Sequence, residues 1–352
     1  MSLGHIAPRL SRAALNPLQW VRYLLERWLV VPAARRLPVG VALCCADAVA
    51  LLDLLLPVET RRAVLAEIAA ATGRTGRAAQ RLAWERLAAP RHELVYLTRM
   101  SAGRERLADW RVVQVNDAGV RALTDAGRSF VIAAGHFSSA ALNVAQQVLP
   151  EPVAYVAGET ATEAATPAEL RRQLGDRSRD LGRLGLLTPH YPADTLWIRV
   201  PDHWGPDVHW DEASQRVATG RKMLGILRKP GGIVLVRIDA VWGAAFRYTR
   251  PFAGIQDRSF ALGAARTARL AQCPLVPCVA RIAAGGRQRT VVIEWGDPIP
   301  PLARTDEAGD NRILSRALDH LEAAIGRHPT EYLAHIGWER QWQRQAGTWE
   351  AL

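Results

Sequence analysis

The stretch SFVIAAGHFSSAALNVAQQVL, residues 129–149, changes character at its middle. Up to Ala134 it is an unbroken apolar run, the pattern of a strand buried on both faces. Beyond Gly135 and His136 the apolar spacing lengthens to that of a helix, and Ser138 and Ser139 stand where a helix N-cap is wanted. A strand that gives way to a helix in this manner sets the histidine at the strand's carboxyl end, the rim at which open α/β sheets bind ligands. An imidazole there can take a proton from an alcohol while the alcohol attacks an acyl carbon, and the first amides of the helix can stabilise the resulting oxyanion. A purely structural histidine is the competing reading. The serines do not complete G-x-S-x-G, so a serine nucleophile is disfavoured and capping is their expected task.

Working outward, the same alternation recurs. Short β-branched runs at 111–115, 152–157, 195–200, 232–238, 275–282 and 290–295 are separated by helical patterns at 118–126, 212–229 and 259–272, with further helices expected at 311–326 and 331–344. Strands alternating with helices predict an α/β fold, a mostly parallel central sheet covered by helices on both faces. Residues 188–210 read as a surface excursion. Residues 59–108 read as mostly helical, with no metal or nucleotide motif.

The N-terminal end differs. After Pro17, an amphipathic helix is expected with Trp20, Leu24, Trp28 and Val31 on one stripe. The stretch between Pro38 and Pro57 approaches the ~20 residues that cross a bilayer, but it carries Asp47 and Asp53, so interfacial or core packing is expected over a span. The division that follows is a membrane-associating helical extension over 1–57 and an α/β domain over 58–345.

The net charge of +11 comes almost entirely from arginine, Lys222 and Lys229 being the only lysines. Residues 1–36 hold six arginines against the single acid Glu26, a local net of +5, which suits a surface of anionic lipid. Without a helix-turn-helix, RNP or zinc pattern the charge does not predict nucleic-acid binding. Neither cysteine pair, Cys44 with Cys45 nor Cys273 with Cys278, has C-x-x-C spacing, so small buried thiols are expected rather than a metal site or disulfides. No cleavable signal peptide is expected at the N-terminus.

The run around GHF at 135–137 resembles the strand and HFGNWE motif of the lipid A (lauroyl or myristoyl) acyltransferases, a branch of the lysophospholipid acyltransferase superfamily. GRKMLGILRKPGGIVLVRIDAVWG (220–243) is similar to that branch's helix, glycine turn and strand ending in Asp-Gln, with Asp239 at the Asp position. RPFAGIQDRSFALGAARTARLAQCPLVPCVAR (250–281) resembles its FFG turn, Ala-rich helix and VVP strand, and LEAAIGRHPTEYL (321–333) its C-terminal helix and Pro-Glu-Gln-Tyr turn. The resemblance implies transfer of a fatty acyl group from an acyl carrier protein or acyl-CoA thioester to a hydroxyl of a lipid or glycolipid. His136 would be general base, and the site would be the cytoplasmic face of a bacterial inner membrane. It implies no cofactor and no metal.

The motif departs where it matters. The family's H-x-x-x-x-(D/E) carboxylate falls at Ala141, so another group must orient His136 if it is a base. Asp239 leads, ahead of Glu159 and Glu163, because strand ends at one rim converge. Gly135, Ser138 and Ser139 would line the substrate site, with Arg247 and Arg250 as docks for an acceptor phosphate. A non-catalytic lipid-binding or scaffold protein on the same fold is the alternative.

Overall fold

The computed structural model describes residues 25–55, 58–105, 110–146, 149, 153–158, 196–200, 212–239, 247–283, 289–306 and 308–332. Trp20, Leu24, Glu159, Glu163 and the expected helix from 333 onward lie outside the described residues.

The molecule is α/β. Strands β1 (Arg111–Val115), β2 (Phe130–Ala134), β3 (Val153–Gly158), β4 (Leu196–Val200), β5 (Ile233–Arg237), β8 (Leu275–Ile282) and β9 (Thr290–Trp295) form one sheet in the order β1-β9-β8-β2-β5-β3-β4. The run from β8 to β4 is parallel throughout. The β9 strand runs antiparallel to β8, and β1 is parallel to β9. The reversal has a simple cause: only residues 283–289 join β8 to β9, too few for the crossover that a parallel pair needs.

Alternate residues of the central strands feed two cores, which is why β2 reads as unbroken apolar sequence. Val131, Ala133 and Val234 face α7 (Glu212–Leu227), α8 (Gly263–Ala271) and α9 (Gly309–Arg327), packing on Met223, Ala265, Leu318 and Leu321. Phe130, Ile132, Ile233 and Leu235 face α5 (Ala118–Asp125) and α6 (Ser139–Gln146) through Val120, Leu123 and Leu142. Each such large side chain contributes about 1.5–3 kcal/mol on burial.

Strands β6 (Arg247–Phe252) and β7 (Ile255–Ala261) form a separate antiparallel hairpin that the sequence reading did not anticipate; the helix expected from 259 begins at Gly263. Ala253 and Gly254 close it, both with positive φ (49° and 85°), as a tight two-residue hairpin turn requires. A Cβ on Gly254 would also run into Ala70, so the turn is tucked against helix α3 (Val58–Thr72).

At the N-terminal end a π-helical turn (Glu26–Val30) leads into α1 (Val31–Arg36) and α2 (Val39–Leu55). Helix α2 packs on α4 (Gly76–Ser101) through Ala42, Ala46 and Val49, and Asp47 meets His92 of α4 at 2.7 Å. No helix among the described residues is long and apolar enough to cross a membrane. The expected shared stripe of Trp28 and Val31 is corrected. The π turn adds residues to the winding, so Trp28 stays 71% exposed while Val31 turns into the core at 3%.

Candidate active site

The parallel register of β2 and β5 sets two strand ends side by side. Ala134 is opposite Arg237, and the Ile238 amide donates to the Ala134 carbonyl at 3.0 Å. Two residues further along each chain stand His136 and Asp239. The Asp239 carboxylate takes both donors of that histidine, Nδ1 on Oδ1 at 2.6 Å and the backbone N–H on Oδ2 at 2.7 Å. Gly135 permits the close approach beneath them, since a Cβ there would press on Leu321 of α9 and Phe137 at 3.2–3.3 Å.

The Asp239 side chain is fully buried, and the His136 ring retains 25% exposure. Burial pushes the Asp239 carboxyl up, but the charge and hydrogen bonds of His136, together with the Arg258 charge, outweigh it and hold the group well below the usual carboxylate range. An ionised carboxylate only accepts, so in the neutral ring the Nδ1 facing it carries the proton and Nε2 is left with a lone pair. That is the tautomer a general base needs. Asp239 is thus the group that orients the His136 ring.

Behind the pair, Arg258 of β7 is 2% exposed and donates from Nη2 to the Asp239 main-chain carbonyl at 3.1 Å. Its guanidinium lies 4.9 Å from the Phe252 ring centre, 5.3 Å from Phe260 and 6.0 Å from Tyr332. Tyr332 packs on Phe137, and the Arg86 guanidinium of α4 lies 5.8 Å from the Tyr332 ring centre. The Tyr332 hydroxyl lies beside Asp239 and Arg258 without a hydrogen bond of good geometry to either. Burial, then the Asp239 charge, push it well above its ordinary pKa.

Ser138 is the N-cap of α6: its Oγ accepts the Ala141 amide at 3.0 Å and donates to Glu93 Oε2 at 2.7 Å. The other oxygen of Glu93, which comes from α4, accepts the Ala140 amide at 2.7 Å. This narrows the expectation that the first amides of α6 serve an oxyanion. Those of Ala140 and Ala141 are taken, and the carboxylate already answers the positive end of the helix.

The remaining expected site residues divide. Arg250 is committed to α9, donating to Ser315, Asp319 and Glu322, with 17% of its side chain exposed. It is a tether between hairpin and helix rather than an open phosphate dock. The side chains of Arg247 and Ser139 lie outside the described residues. Of the thiols, Cys273 and Cys278 are buried as expected, the former pushed up to about 12 by burial, whereas Cys44 is exposed. No group of three His, Cys, Asp or Glu side chains suited to a metal occurs among the described residues. A shallow concavity between Thr124, Arg128 and Pro230 lies at the opposite, amino-end rim of β2 and β5 and shares nothing with the pair.

Glu93, Arg258 and Tyr332 were not anticipated. Glu93 lies in a stretch expected only to be mostly helical, Arg258 in the run likened to a turn and an Ala-rich helix, and only the position of Tyr332 in the HPTEY turn carried a signal. Comparison with protein-family models and with curated protein sequences found no match.

Proposed function

We propose that the chain is an acyltransferase of the lysophospholipid acyltransferase type. It moves a fatty acyl group from an acyl carrier protein or acyl-CoA thioester to a hydroxyl of a lipid or glycolipid, at the cytoplasmic face of a bacterial inner membrane. The observation that carries the reading is the bond between His136 Nδ1 and the buried, ionised Asp239 at the carboxyl rim of adjacent parallel strands. In the step proposed, Nε2 takes the acceptor hydroxyl proton as its oxygen attacks the thioester carbon. Asp239 stabilises the imidazolium, and the tetrahedral intermediate collapses to ester and thiolate, the thiolate recovering the proton from Nε2. The apolar side chains exposed at the N-terminal end, with Arg35 and Arg36 beside them, support a membrane-facing side.

One observation favours the alternative of a non-catalytic lipid-binding or scaffold protein: the Ala140 and Ala141 amides are unavailable to an oxyanion. Purified full-length protein, given radiolabelled acyl carrier protein or acyl-CoA thioesters and a lysophospholipid or glycolipid extract, separates the two. The enzyme reading expects an acylated lipid that His136→Ala abolishes without loss of fold. Undiminished transfer by that variant would move the chemistry elsewhere, and no transfer from any donor would favour the scaffold.

A further inference from the structure

The His136–Asp239 pair has a third member, Arg258, bonded to the main chain of Asp239. Arg258 reaches the far side of Asp239, and its one bond to that residue goes to the main-chain carbonyl, not to the side chain. Had the guanidinium taken the carboxylate in the usual two-point fashion, it would compete with His136 for the same oxygens. By holding the carbonyl instead, it leaves Oδ1 and Oδ2 to the ring and the amide of His136. Its own place is fixed by the faces of Phe252, Phe260 and Tyr332, rings contributed by β6, β7 and the segment after α9. A cation buried among rings is costly unless it is compensated, and the fully buried Asp239 supplies a compensating charge.

We propose that Arg258 is the positioning residue of the pair: from behind, it fixes the Asp239 main chain and keeps the carboxylate aimed at His136, acting on the imidazole only through Asp239 and through its own charge. The inference rests on the reading of His136 as the working base, but its effect is on the electrostatics of the ring and is measurable without any substrate. Among the described residues, the ionisable groups around the pair are Arg258 on β7, Tyr332 after α9 and Arg86 on α4, with Glu93 of α4 behind Ser138 on the other side of the turn. Among these Arg258 is the buried cation bonded directly to Asp239.

The test is nitrogen NMR of the full-length protein labelled in histidine, the His136 ring being assigned by its loss in His136→Gln. In the native protein the ring is expected with its proton on Nδ1. Arg258→Gln keeps a donor for the carbonyl but removes the charge, whereas Arg258→Lys keeps the charge on a group that cannot reproduce the fork. Loss of the guanidinium is expected to loosen the carboxylate from the ring, so that Arg258→Gln shows a mixture of Nδ1–H and Nε2–H tautomers and Arg258→Lys a smaller Nε2–H fraction. A folded Arg258→Gln with an unchanged tautomer overturns the inference. Should that variant not fold, Arg258→Lys carries the test, and the native tautomer throughout in it overturns the inference equally. Absence of acyl transfer in the native protein would count against the proposed reaction while leaving these tautomer changes in place.

Discussion

Ala141 is fully buried and its amide is held by Ser138, so the alanine belongs to a turn already completed by other groups. Placing a carboxylate five residues after His136 with Ala141→Glu would press an unpaired charge into the apolar layer that contains Ala140 and Leu142, close to Glu93. On the proposed reaction, transfer is expected to fall rather than rise, with a stability loss of about 3 kcal/mol or more in denaturant titration; a gain in transfer would instead mark a decayed site. Asp239→Asn tests the opposite side of the ring. The amide is isosteric but can donate, which permits the wrong tautomer, and on the proposed reaction a drop of ~10³–10⁴ in kcat is expected. The same variant has a pH signature. Because folding depresses the Asp239 carboxyl, its stabilising contribution is present above the ordinary carboxylate range and is lost as pH falls through that range toward the depressed value. Denaturant midpoints of the native protein and Asp239→Asn should therefore converge on acidification, and parallel curves would remove Asp239 from the acid limb.

Helix α4 explains why so little of the surroundings was legible. Its sequence, GRAAQRLAWERLAAPRHELVYLTRMS, carries no motif, yet five of the thirteen buried polar residues among the described residues lie on it: Arg86, Arg91, Glu93, Thr98 and Arg99. It is wedged between α2 on one side and the turn carrying His136 on the other, so its polar groups find partners across elements remote in sequence. Arg99, for example, donates to the carbonyls of Ala34 and Leu37. Periodicity reports which face is apolar, not which charges will meet. The strands were legible because apolar runs bounded by turn residues are a local signal, and Asp239 was legible because two parallel strand ends converge. The β6–β7 hairpin was hidden because Pro251 and the polar run Gln256, Asp257, Arg258 and Ser259 mask its pairing. At this scale Glu93 is the joint to test. Glu93→Ala leaves the Ser138 hydroxyl and the Ala140 amide without their buried acceptor and should cost about 1–3 kcal/mol, while Glu93→Gln, which keeps one acceptor oxygen, should cost less. Equal stability of Glu93→Ala and the native protein in urea unfolding would remove Glu93 from this role.

Across the whole molecule, apolar exposure is uneven. Of the seven large hydrophobic side chains exposed among the described residues, six lie between Trp28 and Leu52: Trp28, Leu29, Leu37, Val41, Leu51 and Leu52. On α2 the exposed Val41, Cys44, Ala48, Leu51 and Leu52 follow helical spacing, opposite the buried line of Ala42, Ala46 and Val49 that grips α4. One helix thus has two apolar sides, the inner one made of small residues that let α2 lie close on α4 and the outer one of larger residues facing outward. Arg35 and Arg36 close α1 at its edge, within the stretch of 36 residues that carries a net charge of +5. Apolar side chains and arginines together on one side suit the boundary of an anionic bilayer, where burial and attraction to headgroups add, each basic residue contributing about 1 kcal/mol near such a surface. If this is the membrane-facing side, full-length protein should float with vesicles of mixed anionic and zwitterionic phospholipid and float less with purely zwitterionic ones. Salt should weaken the association without abolishing it, because screening removes only the electrostatic part. The paired substitution Val41→Asp and Leu51→Asp alters the outer side of α2 without touching its contacts on α4, so it should release the protein from both kinds of vesicle while leaving its thermal midpoint near the native value. Flotation undiminished in that double variant would exclude the α2 face, and full release by salt alone would reduce the association to charge.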